Sequence, residues 1–323
     1  MELLKSVAKE FFIEDIRQIE LMQGGIINQT YYVCTVNEDY ILQKIAPIVT
    51  KGVIQNCHVV TTYLNNVCGW RVPDLINSRN GSFIYTDSCG DRWRAMLYIP
   101  HDTVAVSGMS TYEITSAAAL LGKFHAAVAT ISYIPKDAIK NFHDIDHIMN
   151  QLQLCVGSLN ITCREIAADL QMAFERDCQY YPSDERQIIH GDPQLSNILF
   201  SNSTAVSIID FDTVMQGSKW IDIGDFIRSV LLQESRAGRQ INEHLLRDIA
   251  VAYISEFESV DNVTTFMNKC IYATKRMVLE LTARFLIDIH EDKYFEWDVL
   301  RFESRKEHNQ YRASEQWQFY DKL

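Results

Sequence analysis

The 323-residue chain has no surplus of positive charge: 30 Lys and Arg stand against 42 Asp and Glu, a formal net charge of −12. That balance speaks against nucleic acid or an anionic membrane surface as a main partner. It leaves room for a nucleotide, because a local basic pocket or a metal ion offsets a global field. There is no run of eighteen apolar residues, so no membrane-spanning helix is expected. Met1–Phe12 reads as a short amphipathic helix without the basic stretch, long apolar core and cleavage site of a signal peptide. The eight cysteines never form a Cys-x-x-Cys pair and are expected as free buried thiols in a reducing cytoplasm, with no zinc site. Also missing are a Gly-x-x-x-x-Gly-Lys-Ser/Thr loop, a serine-hydrolase elbow and a His-Glu-x-x-His pair. Their absence excludes a P-loop kinase and argues against those hydrolases. No repeat or low-complexity segment occurs.

What is present is an ordinary enzyme composition, 47% hydrophobic and 22% charged, on a chain long enough for two lobes. Residues 16–45 read as strands broken by turns at Gln23-Gly24-Gly25 and Asn37-Glu38-Asp39. A helix is predicted over 49–67. Asn80-Gly81, between Leu75-Ile76 and Phe83-Ile84-Tyr85, predicts a hairpin. Arg92–Ile99 is a further strand, ended by Pro100. Beyond Pro100 helical spacing dominates, opening on the capping box Ser110-Thr111-Tyr112-Glu113. The expected fold class is therefore α+β. An N-terminal antiparallel sheet lobe, 1–99, precedes a larger, mainly helical C-terminal lobe, 100–323. The tail from Ser304 onward packs as a helix on the body or serves a partner; the sequence leaves both open.

The most informative stretch is His190-Gly191-Asp192-Pro193-Gln194-Leu195-Ser196-Asn197, followed by Ile208-Ile209-Asp210-Phe211-Asp212. An Asp in a loop, an Asn five residues on and an Asp at a strand end thirteen beyond supply the parts of a phosphoryl-transfer site. Asp192 is expected to orient the attacking hydroxyl, and Asn197 and Asp210 to hold magnesium. Asp212 aids the same metal or only solvates the turn. His190 is expected to fix the loop, and Asp222 to take hydrogen bonds from the loop's backbone or else to cap a helix. On the sheet side, Lys44 is expected to meet the α- and β-phosphates. Gly24, Gly25 and Asn28 lie in a turn whose backbone N–H groups approach phosphate. Adenine is expected at Tyr98 and Ile99.

These motifs resemble the aminoglycoside phosphotransferase/choline kinase superfamily, and the resemblance implies a protein-kinase-like two-lobe fold using ATP and Mg2+. Within it, Gly25–Tyr31, Tyr40–Ile45, Asn141–Asp144, Ile209–Met215, Asp222–Arg228 and Leu279–Leu286 look like the N-acetylhexosamine 1-kinases. That likeness implies a sugar acceptor phosphorylated at its anomeric hydroxyl, touched by Arg284 and Tyr294, with Asp144 facing it. Three positions depart from those kinases. Gly191 stands for an Asn, Gln194 for a Lys, and Gln55 for the glutamate that would pair with Lys44. The alternatives are an aminoglycoside, choline or homoserine-type alcohol as acceptor, or a nucleotide-binding pseudokinase. Cationic acceptors would need several carboxylates facing the site, with Glu280, Asp288, Glu291 and Asp292 as candidates; the sequence does not say which face inward. The partner is expected to be a small molecule. Oligomeric state, and ATP against GTP, are not written in the sequence.

Overall fold

The computed structural model describes residues 2–22, 28–46, 49–102, 108–136, 139–183, 186–240, 242–257 and 262–323. The chain forms two compact units. The first comprises 1–101 with two short returning pieces, 135–138 and 209–214; the second comprises 102–134, 139–208 and 215–323. The piece 209–214, which carries Asp210 and Asp212, thus belongs to the sheet unit rather than to the helical stretch around it.

In the first unit, β1 (Gln18–Leu21), β2 (Gln29–Cys34), β3 (Tyr40–Lys44), β4 (Leu75–Ile76), β5 (Tyr85–Thr86) and β6 (Arg92–Leu97) form one antiparallel sheet. α1 (Glu2–Glu10) covers one face, packing Val7, Ala8 and Phe11 against Val33, Leu42, Trp93 and Ala95. Strand parity then puts Thr30, Gln43 and Arg94, which are cross-strand partners, on the opposite face. The second helix, α2 (Lys51–Asn66), is opened by Thr50, whose hydroxyl accepts from Val53 N.

The Asn80-Gly81 hairpin is corrected by the structure. The turn itself forms, with Gly81 at φ +77° and its N–H on the Ser78 carbonyl at 2.8 Å. Its flanking strands do not pair with each other. β4 pairs with Met96 and Ala95, and β5 with Trp93 and Arg92, both antiparallel to β6. The six-residue β6 presents one long edge opposite β3, and two short strands laid end to end satisfy it better than a two-residue hairpin would.

The second unit holds α3 (Thr111–Val128), α4 (Ile145–Cys155), α5 (Ile161–Asp177), β7 (Gln187–Ile189), β8 (Ile198–Ser201), β9 (Thr204–Ile208), β10 (Met215–Gly217), α6 (Lys219–Arg236), α7 (Glu243–Ile254), α8 (Val263–Glu291) and α9 (Arg305–Tyr320). The capping box at Ser110 and Glu113 is complete. α6 and α8 form the buried spine, and they approach so closely at Gly224 that a Cβ there would collide with the Ala273 carbonyl. β7 pairs with β10 and β8 with β9, so the segment 190–197 is bracketed by two small ribbons. The tail is helix α9, anchored at its far end by Tyr320 Oη donating to Asp177 at 2.6 Å and by an Arg236–Glu315 ion pair. Among the described residues no helix is long and apolar enough to cross a membrane.

Candidate active site

The loop that leaves β7 is tied down from three helices of the second unit. From α6, the buried Asp222 accepts from His190 N at 2.7 Å and from Gly191 N at 2.8 Å, and Ser229 Oγ accepts from Leu195 N at 3.1 Å. From α3, His125 Nε2 meets Asp222 at 2.9 Å while its Nδ1 faces the Tyr253 hydroxyl at 2.7 Å. Burial alone would raise the Asp222 carboxyl. The His125 hydrogen bond and charge, joined by His190, outweigh that and hold it below the ordinary carboxylate range. Ser218, not Asp222, caps α6.

The third tie runs to α8. His143 Nε2 lies 2.8 Å from the Gly191 carbonyl and its Nδ1 lies 2.7 Å from Glu280 Oε1. The ring thus bridges the loop carbonyl and the α8 carboxylate. Arg276 fastens the same corner, donating to the His143 carbonyl at 2.6 Å and lying 3.7 Å from Glu280. Glu280 is fully buried, which by itself raises a carboxyl. His143, Arg276 and Arg284 overcome this and lower it to about 2.

Gly191 has φ +83°, a left-handed conformation that glycine and asparagine visit most readily. The Gly-for-Asn difference therefore suits the backbone. Within the loop, Asn197 Nδ2 donates to the Asp192 carbonyl at 2.8 Å and lies 3.4 Å from its carboxylate. Gln194 Nε2, at the position where the resembled kinases carry lysine, lies 3.3 Å from Asp192 Oδ2. His190 is fully buried and its Nδ1 accepts from Asp192 N at 3.3 Å. Asn197 is thus fixed through its amide nitrogen, and its Oδ1 takes no hydrogen bond from the described residues.

In the first unit, Asp210 sits in the left-handed region at φ +66°, just past β9. Its residue surface is exposed to solvent. Desolvation of the carboxyl, with the Asp212 charge, pushes it up to about 6 against the pull of Arg94. None of the described residues donates a hydrogen bond to it. An underbonded carboxylate of this kind is a fit for a divalent cation, as is the spare amide oxygen of Asn197. Asp212 is committed elsewhere. It receives both Arg94 amino groups, at 2.5 and 2.9 Å, and Asn28 Nδ2 at 3.2 Å. Asn28 in turn accepts from Ala46 N at 2.9 Å.

Lys44 lies on the α1 face of the sheet with Leu42 and Trp93, and pairs with Asp91 at 2.6 Å. The expected Lys44–Gln55 bond is corrected: Gln55 accepts from Lys136 Nζ at 2.6 Å instead. The cation on the Asp212 side of the sheet is Arg94, positioned by Gln43 at 2.8 Å. Tyr98 stacks edge-on to Tyr32, with centroids 4.9 Å apart, and the Ile99 carbonyl meets His101 Nδ1 at 2.8 Å. Gly24 and Gly25 lie outside the described residues. In the second unit the Arg284 guanidinium sits over Phe142, Tyr294 and Phe295, at 4.7, 5.1 and 5.5 Å from their ring centres. Asp144 caps α4 by accepting from His147 N at 3.0 Å.

Sequence reasoning missed Arg94, His125, Ser229 and the tie of His143 to Gly191. His143 lay inside a quoted motif. His125 sits on an apolar helix face and reads as core.

Residues 18–261 match the phosphotransferase enzyme family, APH. The fold is similar to that of an amicoumacin kinase solved with AMP-PNP, Ca2+ and Ami: TM-score 0.67, 14% identity, covering 100% of this chain and 93% of that one. It is also similar to choline kinase from Cryptosporidium parvum Iowa II, with TM-score 0.66, 15% identity and 100% and 96% coverage. A microcompartment-associated aminopropanol kinase gives TM-score 0.68, 14% identity and 99% and 96% coverage. These likenesses carry the protein-kinase-like α+β fold. The chain belongs to the APH phosphotransferase enzyme family.

Proposed function

We propose that this kinase transfers the γ-phosphoryl group of ATP to the anomeric hydroxyl of a neutral sugar, an N-acetylhexosamine. Asp192 orients the acceptor hydroxyl for in-line attack and takes its proton late, since a loose transition state leaves little proton abstraction early. Asn197 Oδ1 and Asp210 would hold Mg2+, which when bound neutralises charge on the phosphates. Arg94 keeps Asp212 away from that duty by pairing with it at both oxygens. Asp222, His125 and His143 hold the loop's backbone so that Asp192 is presented in one geometry.

The observation that carries the choice of a neutral acceptor is the fate of four carboxylates. Glu280 faces His143, Arg276 and Arg284; Asp288 accepts three backbone N–H groups; Glu291 pairs with Lys293 and Asp292 with Arg305. These four carboxylates already have hydrogen-bond or ion-pair partners within the chain, which speaks against their serving a cationic aminoglycoside or choline. Arg284 and Tyr294 instead offer hydrogen-bond donors and a ring face, the usual partners of a pyranose with an acetamide.

The test is to incubate the protein with ATP and Mg2+ plus N-acetylglucosamine or N-acetylgalactosamine and follow the product by phosphorus NMR. An anomeric sugar phosphate is the expected product. Turnover of choline or an aminoglycoside with neither sugar consumed would overturn the acceptor choice and leave the phosphotransferase standing.

A further inference from the structure

Between α8 and α9 the chain crosses a short strap, 292–298, which carries Tyr294. It starts where Asp292 adopts a left-handed φ of +56° and ends α8. The strap has no strand partner of its own among the described residues, yet its backbone is heavily bonded. From α8, the buried Asp288 accepts from Lys293 N at 3.0 Å, Tyr294 N at 2.7 Å and Phe295 N at 3.0 Å. From α9, Arg305 Nε donates to the Phe295 carbonyl at 2.7 Å, Arg312 to the Glu296 carbonyl at 2.8 Å, and His308 Nδ1 accepts from Asp298 N at 3.1 Å. The fully buried Asn309 closes the circle by donating to Asp288 Oδ2 at 2.8 Å.

Positions 305, 308, 309 and 312 are spaced i, i+3, i+4 and i+7, so they form one stripe along α9. The next turns of the same helix bury Ala313, Gln316, Phe319 and Tyr320 against the body. The helix is thus polar and strap-facing at its start and anchored at its end.

We infer that α9 is a template that sets acceptor affinity: Asp288, Asn309 and Arg305 are positioning residues that hold the strap so that Tyr294 packs against Arg284. The inference rests on the reading that the acceptor sits against those two side chains. None of the three positioning residues needs to touch the acceptor. Asp288 fixes the direction of three consecutive amides, and Arg305 fixes the carbonyl that follows Tyr294.

The test compares Asn309→Ala, Arg305→Ala and Tyr294→Ala in the full chain with N-acetylglucosamine and MgATP. Arg305 lies at the solvent edge, so its loss leaves the core intact if Asn309→Ala fails to fold. Amides 293–298 should exchange hydrogen faster in both strap variants. Removing a charge-assisted hydrogen bond should raise the acceptor KM about tenfold while the ATP KM stays within about twofold. That split is what a general loss of stability would not give. Unchanged exchange at 293–298 overturns the clamp whatever the acceptor. Faster exchange with an unmoved acceptor KM, while Tyr294→Ala raises it, overturns the link to affinity and leaves the acceptor reading standing. If Tyr294→Ala itself leaves the KM unmoved, the acceptor reading fails and this inference with it.

Discussion

Two aspartates show how the same side chain is put to opposite uses. Asp192, proposed to orient the acceptor, is presented by a loop whose backbone is clamped, so its replacement is expected to remove chemistry and little else. Asp192→Asn should lower turnover by at least about a hundredfold, with ATP binding by calorimetry nearly unchanged. Asp210 is the reverse case: its raised carboxyl, at about 6, is disfavoured as an anion in the folded chain. A raised folded value means that the stability is fully present below the unfolded value and is lost as pH rises through about 6. Asp210→Asn removes that loss. Without metal, the variant should melt above the wild type at pH 8 and level with it at pH 4, while its activity disappears. A variant that melts lower at pH 8 would refute the unfavourable-anion account.

Among the elements, the α6–α8 crossing is a close joint at Gly224 and carries two of the loop's ties. Asp222 and Ser229 descend from α6, and Glu280 acts through His143 from α8. Gly224→Ala would drive a Cβ into the Ala273 carbonyl, so the helices must part. A loss of about 1–3 kcal/mol is expected by urea unfolding, together with reduced turnover. Most elements were legible in the sequence because their signals are local: the capping box at Ser110 and the spacing of α3 needed no tertiary information. What was not legible depended on a partner far away in the chain. Lys44 shares a strand face with Leu42 by simple alternation, but only the position of α1 tells which face that is. The Asn80-Gly81 turn was visible, whereas the free edge of β6 that captured both flanking strands was not. Asp192, Asn197 and Asp210 stood out through spacing, and the clamp around Gly191 did not, because His143, Asp222 and Glu280 meet only in three dimensions.

For the molecule as a whole, buried carboxylates dominate the response to acid. Glu280 is lowered to about 2, where His143, Arg276 and Arg284 outweigh burial, and Asp177 to about 2, led by its Arg176 hydrogen bond and aided by Tyr320. Depressed values mean stability that is complete above the ordinary carboxylate range and lost as pH falls towards about 2. Denaturant midpoints should therefore drop most steeply between about pH 4 and pH 2, and Glu280→Gln should flatten that drop while lowering stability at pH 7. The strap at 292–298 has a different kind of consequence. Its fixed points are backbone amides and carbonyls, bonded by side chains that lie outside it. Tyr294 can accordingly be exchanged by mutation without dismantling what holds it. On the proposed acceptor reading, a lineage built on this chain would be free to drift from one alcohol to another through that position, with the fold inherited unaltered.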